Sequence, residues 1–334
     1  MPFFLVPLVG PFHLRFPRYN AVTVRDVTRA LEPETVVTSA LPPGAFDDPA
    51  WQDVEEPALW MAVVPWARRA GLDVAAVGEP SPDPDALEAM RRYLHEMAGR
   101  HPALERLAEA RAPVEEALQR ALDLDGVRER LLPALAELHA VRLELFGDGP
   151  GSDWLEERAE RIVERLAPYR GRRTALLAPA DQAAPLRARL AGELVDAPNV
   201  PPTDEARTRA LLDTAVAGEV DDPGRLLAAL RERPESEARL AEAEVLIGNG
   251  HPAEALATLR EAVRGDFSRP VHVPGWLLAR LGQLYDLDGR RDDARRAYRG
   301  VLALDFAPAA ARDAAREGLE RPFAPPAPAG DAEG

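Results

Sequence analysis

The chain has no cysteine and no lysine. Without cysteine, neither disulfides nor thiolate metal sites can form. All 41 basic residues are arginine, and isoleucine occurs only at Ile162 and Ile247. A GC-rich genome produces such a composition, and thermal adaptation is the other source of it. No stretch approaches the ~20 apolar residues of a membrane span. The opening MPFFLVPLVGPFHLRF is apolar, but no basic residue leads it and Pro2, Pro7 and Pro11 interrupt it. It predicts a buried strand in place of a signal peptide. No basic run offsets the net charge of −15. So acidic a surface repels phosphate backbones and anionic membranes, which disfavours nucleic acid and membrane partners. There is no Gly-x-Ser-x-Gly elbow, and Gly147-Asp-Gly-Pro-Gly151 is followed by no lysine, which excludes the common phosphate loop and favours a linker. The bacterial cytoplasm is the expected location.

What is present belongs to a globular protein. Of the 334 residues, 46% are hydrophobic and 29% charged, enough for about two domains at roughly 150 residues each. Short apolar runs mark strands at Phe3–Gly10, Thr35–Leu41, Asp73–Gly78, Thr174–Ala178 and Leu194–Asp196. Helical stretches at Val24–Leu31 and Ala58–Ala70 separate the first three. That alternation predicts an α/β domain over residues 1–198 with a mostly parallel sheet. A long helical insertion interrupts it at 83–168, with pieces at Asp85–Gly99, Ala103–Ala110, Val114–Ala121, Val127–Leu145 and Asp153–Leu166, punctuated by Pro102, Pro113 and Pro133. The proline-rich segment 199–204 predicts a linker. Everything after it is helical to about residue 320, and the ending 321–334 is proline-rich, acidic and expected to be disordered.

The helical part repeats. Asp222–Leu230, His251–Leu259 and Arg291–Val301 share a pattern in which Leu226, Ala255 and Ala294 correspond, 29 and 39 residues apart. Within Pro274–Asp305, Gly282, Tyr285, Gly289, Ala294 and Tyr298 each have a packing reason. A small residue at Gly282 lets two helices approach, Tyr285 and Tyr298 fill the space between them, and Gly289 supplies a turn. In this register the segment resembles a tetratricopeptide (TPR) hairpin. The resemblance implies an all-α, superhelical domain over 205–320, made of three TPR-like hairpins and a capping helix at Ala309–Leu319. It implies a concave face that includes Glu237, Leu240, Glu244 and Ile247 from the middle hairpin, and Trp276, Ala279, Gln283 and Asp286 from the last. That mixture of apolar and acidic side chains suits a protein or peptide partner of apolar and basic character.

The first half carries weaker motifs. The first strand ends in Gly10-Pro-Phe-His13, ALEPETVVTSALP supplies the following helix and strand, Trp154–Leu166 carries Arg158, and Arg172–Leu190 supplies a closing strand and helix. In this layout the half resembles the TraB/ChaN/Tiki and erythromycin-esterase superfamily. The resemblance implies metal-dependent hydrolysis at strand ends that hold histidine, carboxylate and arginine. Ser39 stands where that pattern has a carboxylate, and Asp181 where it has a second histidine. The four candidate catalytic residues are therefore His13, Glu79, Arg158 and Asp181, each of which also has a structural reading. Glu79 or Asp181 can cap a helix, Arg158 can sit in a solvated ion-pair face, and His13 can be a packed histidine. His95, His101, His139 and His251 lack metal-ligand spacing. The expected function is an adaptor without cofactor or metal, with a metal-dependent hydrolase as the alternative.

Overall fold

The computed structural model describes residues 1–48, 51–52, 56–80, 92, 102–146, 153–217, 220, 222–268 and 270–325. The expected helix Asp85–Gly99 apart from residue 92, His95, His101, the Gly147–Gly151 linker and residues 326–334 lie outside them. The chain forms two units, Met1–Ala210 and Leu211–Gly334.

The first unit is built on five parallel strands: β1 (Phe3–Leu8), β2 (Thr35–Thr38), β3 (Asp73–Ala76), β4 (Thr174–Pro179) and β5 (Leu194–Asp196), in the order β3-β2-β4-β1-β5. Phe3 and Thr35 both stand opposite Thr174, which fixes the register of the three central strands. These strands are buried almost throughout, whereas the edge strands are partly exposed. Runs such as FFLVPL and TALLAP are continuous rather than alternating for this reason, since helices cover both faces of a parallel sheet.

The order of the strands places a crevice. From β1 the chain steps over β4 to reach β2, and from β4 it steps over β1 to reach β5. Right-handed crossovers moving in opposite directions lie on opposite faces. The carboxyl ends of β1 and β4 therefore form the topological switch point of the sheet. On one face lies α1 (Ala21–Ala30), packed on a π-helical turn Ala58–Val63 that runs into α2 (Val64–Arg69). On the other lie α5 (Asp153–Leu166) and α6 (Ala183–Arg189). Between β3 and α5 come α3 (Pro102–Leu118) and α4 (Leu132–Phe146), the latter preceded by turns Leu124–Gly126 and Val127–Leu131.

Two boundaries differ from expectation. The two helices separated at Pro113 are a single helix, α3, because Val114 and Ala117 just beyond the proline are buried in the core. Packing of that face outweighs the hydrogen bond that proline removes. The division between the units falls inside α7 (Asp204–Ala217) rather than in segment 199–204. Polar contacts draw the start of α7 onto the first unit. Asn20 donates to the Ala206 carbonyl at 2.9 Å, Thr203 donates to Asp26 at 2.6 Å, and Arg25 bridges Asp26 and Glu205.

The second unit contains α8 (Pro223–Arg231), α9 (Ser236–Gly248), α10 (Pro252–Ala262), α11 (Val273–Leu287), α12 (Arg291–Leu302) and α13 (Ala309–Glu320). The pairs α9–α10 and α11–α12 pack closely, and α13 packs on α11 and α12. Gly250 and Gly289 turn the two pairs at φ of 78° and 74°, a conformation that glycine adopts without penalty. Tyr298 is fully buried, and its ring lies between two glycines. A Cβ on Gly282 would come within 2.4 Å of that ring, and one on Gly318 within 2.3 Å.

Gly318→Ala therefore forces the Tyr298 ring out of place. Overpacking of this kind costs about 1–3 kcal/mol, more than the ~1 kcal/mol of helix propensity that alanine gains over glycine. Chemical denaturation is expected to show a net loss, and adding Tyr298→Leu is expected to recover part of it. A stabilised Gly318→Ala would mean that the ring is not tightly held.

Candidate functional site

The carboxyl ends of the strands carry the polar residues of the first unit. The chain leaves β1 through a 3-10 turn at Gly10–Leu14, which points His13 back under the strand end. His13 is completely buried. Its Nδ1 donates to the Tyr19 carbonyl at 2.7 Å, and its Nε2 accepts the Val9 N–H at 3.1 Å. Those two backbone partners set the tautomer, because an amide N–H can only donate and a carbonyl can only accept. Both ring nitrogens are therefore engaged. The Tyr19 hydroxyl donates to the Pro7 carbonyl at 2.7 Å, closing the same turn onto β1.

Glu56 completes this cluster. Its Oε2 accepts the Gly10 N–H at 3.1 Å, while Oε1 lies 3.4 Å from His13 Nε2 and has no hydrogen-bond donor among the described residues. Burial pushes the Glu56 carboxyl up to about 8, against the pull of the Gly10 and Ala58 N–H groups. Burial also holds His13 down to about 4, against its bond to Tyr19. At neutral pH the pair is a protonated carboxyl beside a neutral imidazole, so no charge is buried.

A second network ties β2 to β4. Ser39 and Gln182 are buried, and Gln182 is oriented so that its amide donates to Ser39 Oγ at 2.6 Å. Its Oε1 then accepts from Arg158 Nη2 and Nε at 3.1 and 3.3 Å. Arg158 also reaches the Ser39 carbonyl at 3.5 Å. Burial lowers the pKa of Arg158, and the charges of Asp181 and Glu79 oppose that shift. Glu79 is gripped by Arg165 at 2.5 Å and Arg161 at 3.3 Å, and Arg165 also donates to the Gly78 carbonyl at 2.5 Å. Gly78 has to be glycine, since a Cβ there would sit 2.2 Å from the Ser39 carbonyl oxygen. Asp181 is exposed. Partial loss of solvent raises its carboxyl pKa, with Arg158 and Arg142 opposing.

The four candidate residues thus fall into two groups. Arg158 feels Glu79 and Asp181, whereas His13 contacts Val9, Tyr19 and Glu56. Among the described residues no group of three or more His, Asp and Glu side chains could hold a metal ion. His139 pairs with Glu156 at 2.6 Å, and His251 is exposed beside Glu254. Sequence reasoning passed over Glu56 and Gln182. Glu56 lies in an acidic stretch before Pro57 that resembles any helix approach, and Gln182 gains meaning only from its position opposite Ser39. A depression of about 170 Å³ lies beside this edge, walled by Arg128, Leu132, Ala183 and Arg187. Its cations are engaged, Arg128 by the Ala197 carbonyl and Arg187 by Asp196.

In the second unit the expected partner-facing residues divide differently. Glu237 pairs with His272 at 3.1 Å, and Glu244 with Arg280 at 2.5 Å, linking α9 to α11 and its approach. Arg280 also donates to Gln283 at 2.8 Å. Ile247 and Trp276 are half-buried against apolar clusters. Leu240 and Ala279 are buried in the core. Asp286 is turned inward with a fully buried side chain, because Arg291, the Tyr298 hydroxyl and the Phe323 N–H all donate to its carboxylate.

No protein-family model matches the chain, and neither does any curated protein or solved structure.

The His13–Glu56 pair links folding to pH. Unfolded His13 takes up its proton near 6.5 and the folded residue only near 4, so its contribution is full above 6.5 and is lost as pH falls through 4. Unfolded Glu56 loses its proton near 4.5 and the folded residue near 8, so its contribution is full below 4.5 and is lost as pH rises through 8. Above 6.5 only Glu56 acts, and each pH unit removes up to about 1.4 kcal/mol. Chemical denaturation is expected to show stability falling from pH 6.5 to pH 8 in the wild type, and a flatter profile in Glu56→Gln. An equal fall in both would assign the dependence to other groups.

Proposed function

We propose that the protein is an adaptor whose second unit is a TPR-like stack of helical hairpins presenting a surface to a protein or peptide partner. One observation carries the reading. The pairs α9–α10 and α11–α12 place corresponding residues 39 positions apart in corresponding roles. Ala243 and Gly282, Ala255 and Ala294, Leu259 and Tyr298, and Ala262 and Val301 are all buried, and Gly250 and Gly289 make the same left-handed turn. Such units bury their apolar faces on one another and leave a continuous surface for recognition.

The first unit, in this reading, is a non-catalytic relative of the TraB/ChaN/Tiki and erythromycin-esterase group that serves as a scaffold. The engagement of both His13 nitrogens by backbone supports this, because water activation or metal ligation there would first break one of those bonds. The protonated Glu56 next to it is an acid without an exposed substrate face.

The partner's cationic groups would exchange with His272 and Arg280 at Glu237 and Glu244. Partly exposed pairs such as Glu244–Arg280, with side chains 19% and 34% accessible, hold weakly enough for exchange. The double substitution Glu237→Gln and Glu244→Gln keeps shape and removes charge. Quantitative affinity capture from source cells is expected to lose bound protein about tenfold, equivalent to ~1.4 kcal/mol, while the thermal midpoint stays near that of the wild type. Undiminished capture by the folded variant would remove this face from the adaptor reading.

A further inference from the structure

The end of the last hairpin is already engaged by an extended segment of the chain itself. Helix α13 stops at Glu320, and Arg321 turns the backbone extended at φ −138° and ψ 147°. Residues 321–325 then continue as Arg-Pro-Phe-Ala-Pro. The Phe323 N–H donates to Asp286 Oδ2 at 2.9 Å, and Arg291 Nη2 donates to the Leu319 carbonyl at 3.0 Å. Phe323 is half-buried, while its neighbours Arg321, Pro322, Ala324 and Pro325 are exposed. One backbone N–H, that of the half-buried Phe323, thus makes the contact, on a carboxylate that Arg291 and Tyr298 already orient.

That arrangement has the features of peptide recognition. A rigid, charged acceptor takes a main-chain donor, and a charge-assisted hydrogen bond of this type is stronger than a neutral one. Prolines on both sides of Phe323 restrict the free segment, which lowers the entropy lost on docking. The Asp286 side chain lies on the helix that the adaptor reading assigns to the recognition surface.

We infer that the segment 321–325 is a strap that covers the Asp286 carboxylate beside the helical stack in cis, and that the partner is an extended segment with an aromatic residue flanked by prolines, which must displace it. The inference rests on the adaptor reading. A tethered segment competes at high effective concentration, so an outside peptide binds only in the fraction of time that the strap is open.

The test uses the full chain and a labelled peptide of its own residues 319–325. Phe323→Pro removes the N–H that Asp286 accepts and leaves the rest of the tail in place. A strap closed nine times in ten lowers the apparent affinity for the peptide about tenfold, so the variant is expected to bind the peptide about tenfold more tightly than the wild type in fluorescence anisotropy. Adding Asp286→Asn to Phe323→Pro is expected to abolish the gain, with circular dichroism confirming the fold of each variant. Equal peptide affinity of the wild type and Phe323→Pro would overturn the inference, as would an absence of binding by the folded variant, because the contact would then be a fixed cap on α13. Since the probe is the chain's own segment, these outcomes leave the adaptor reading to its separate capture experiment.

Discussion

A parallel sheet buried on both faces ends in backbone groups that water does not reach, and the first unit is organised around satisfying them. Its central strands stop where the chain turns into helices or 3-10 turns, and each stop is closed by a side chain from elsewhere. His13 bonds the Val9 N–H and the Tyr19 carbonyl, Glu56 takes the Gly10 N–H, and Arg158 with Gln182 closes the end of β2 against β4. An unpaired buried backbone group costs about as much as a lost hydrogen bond plus its desolvation. At the switch point of the sheet, where folds of this type hold ligands, these side chains meet the strand ends.

Burying the His13–Glu56 pair required charge to be avoided. Glu56 and His13 are neutral at neutral pH because burial moves the two pKa values in opposite senses. Glu79 stays at the rim, where Arg161 and Arg165 compensate it. The second unit solves a different problem. Its helices are short and rich in alanine, so they gain core only by stacking, and Tyr298 acts as the wedge that three helices share. Gly282 and Gly318 admit its ring, and Asp286 receives its hydroxyl.

The strands were legible because continuous apolar runs with β-branched residues have few other uses in a chain so rich in alanine, arginine and glutamate. The turn at Gly289 was legible in the sequence, whereas the matching left-handed turn at Gly250 emerges from the structure. Local signals failed where packing decides. Pro113 reads as a helix break, yet Val114 and Ala117 are buried in the core and the helix continues. The candidate site was legible as a set of strand ends but not as a set of contacts. His13, Glu79, Arg158 and Asp181 were singled out through a resemblance to a family layout that puts such residues at strand ends and on a helix. Glu56, Ser39 and Gln182 take their roles from partners as far as 143 residues away.

The amino-acid sequence by itself determined an α/β half with a parallel sheet and a helical half. Both follow from apolar runs and from their alternation with helical stretches, which are local properties of the chain. Only the tertiary structure decided that both His13 nitrogens meet backbone groups, that Asp286 faces inward and that Glu237 already meets His272 and Glu244 meets Arg280. Each of these depends on which distant donor arrives within about 3 Å, a distance set by the packing of whole elements.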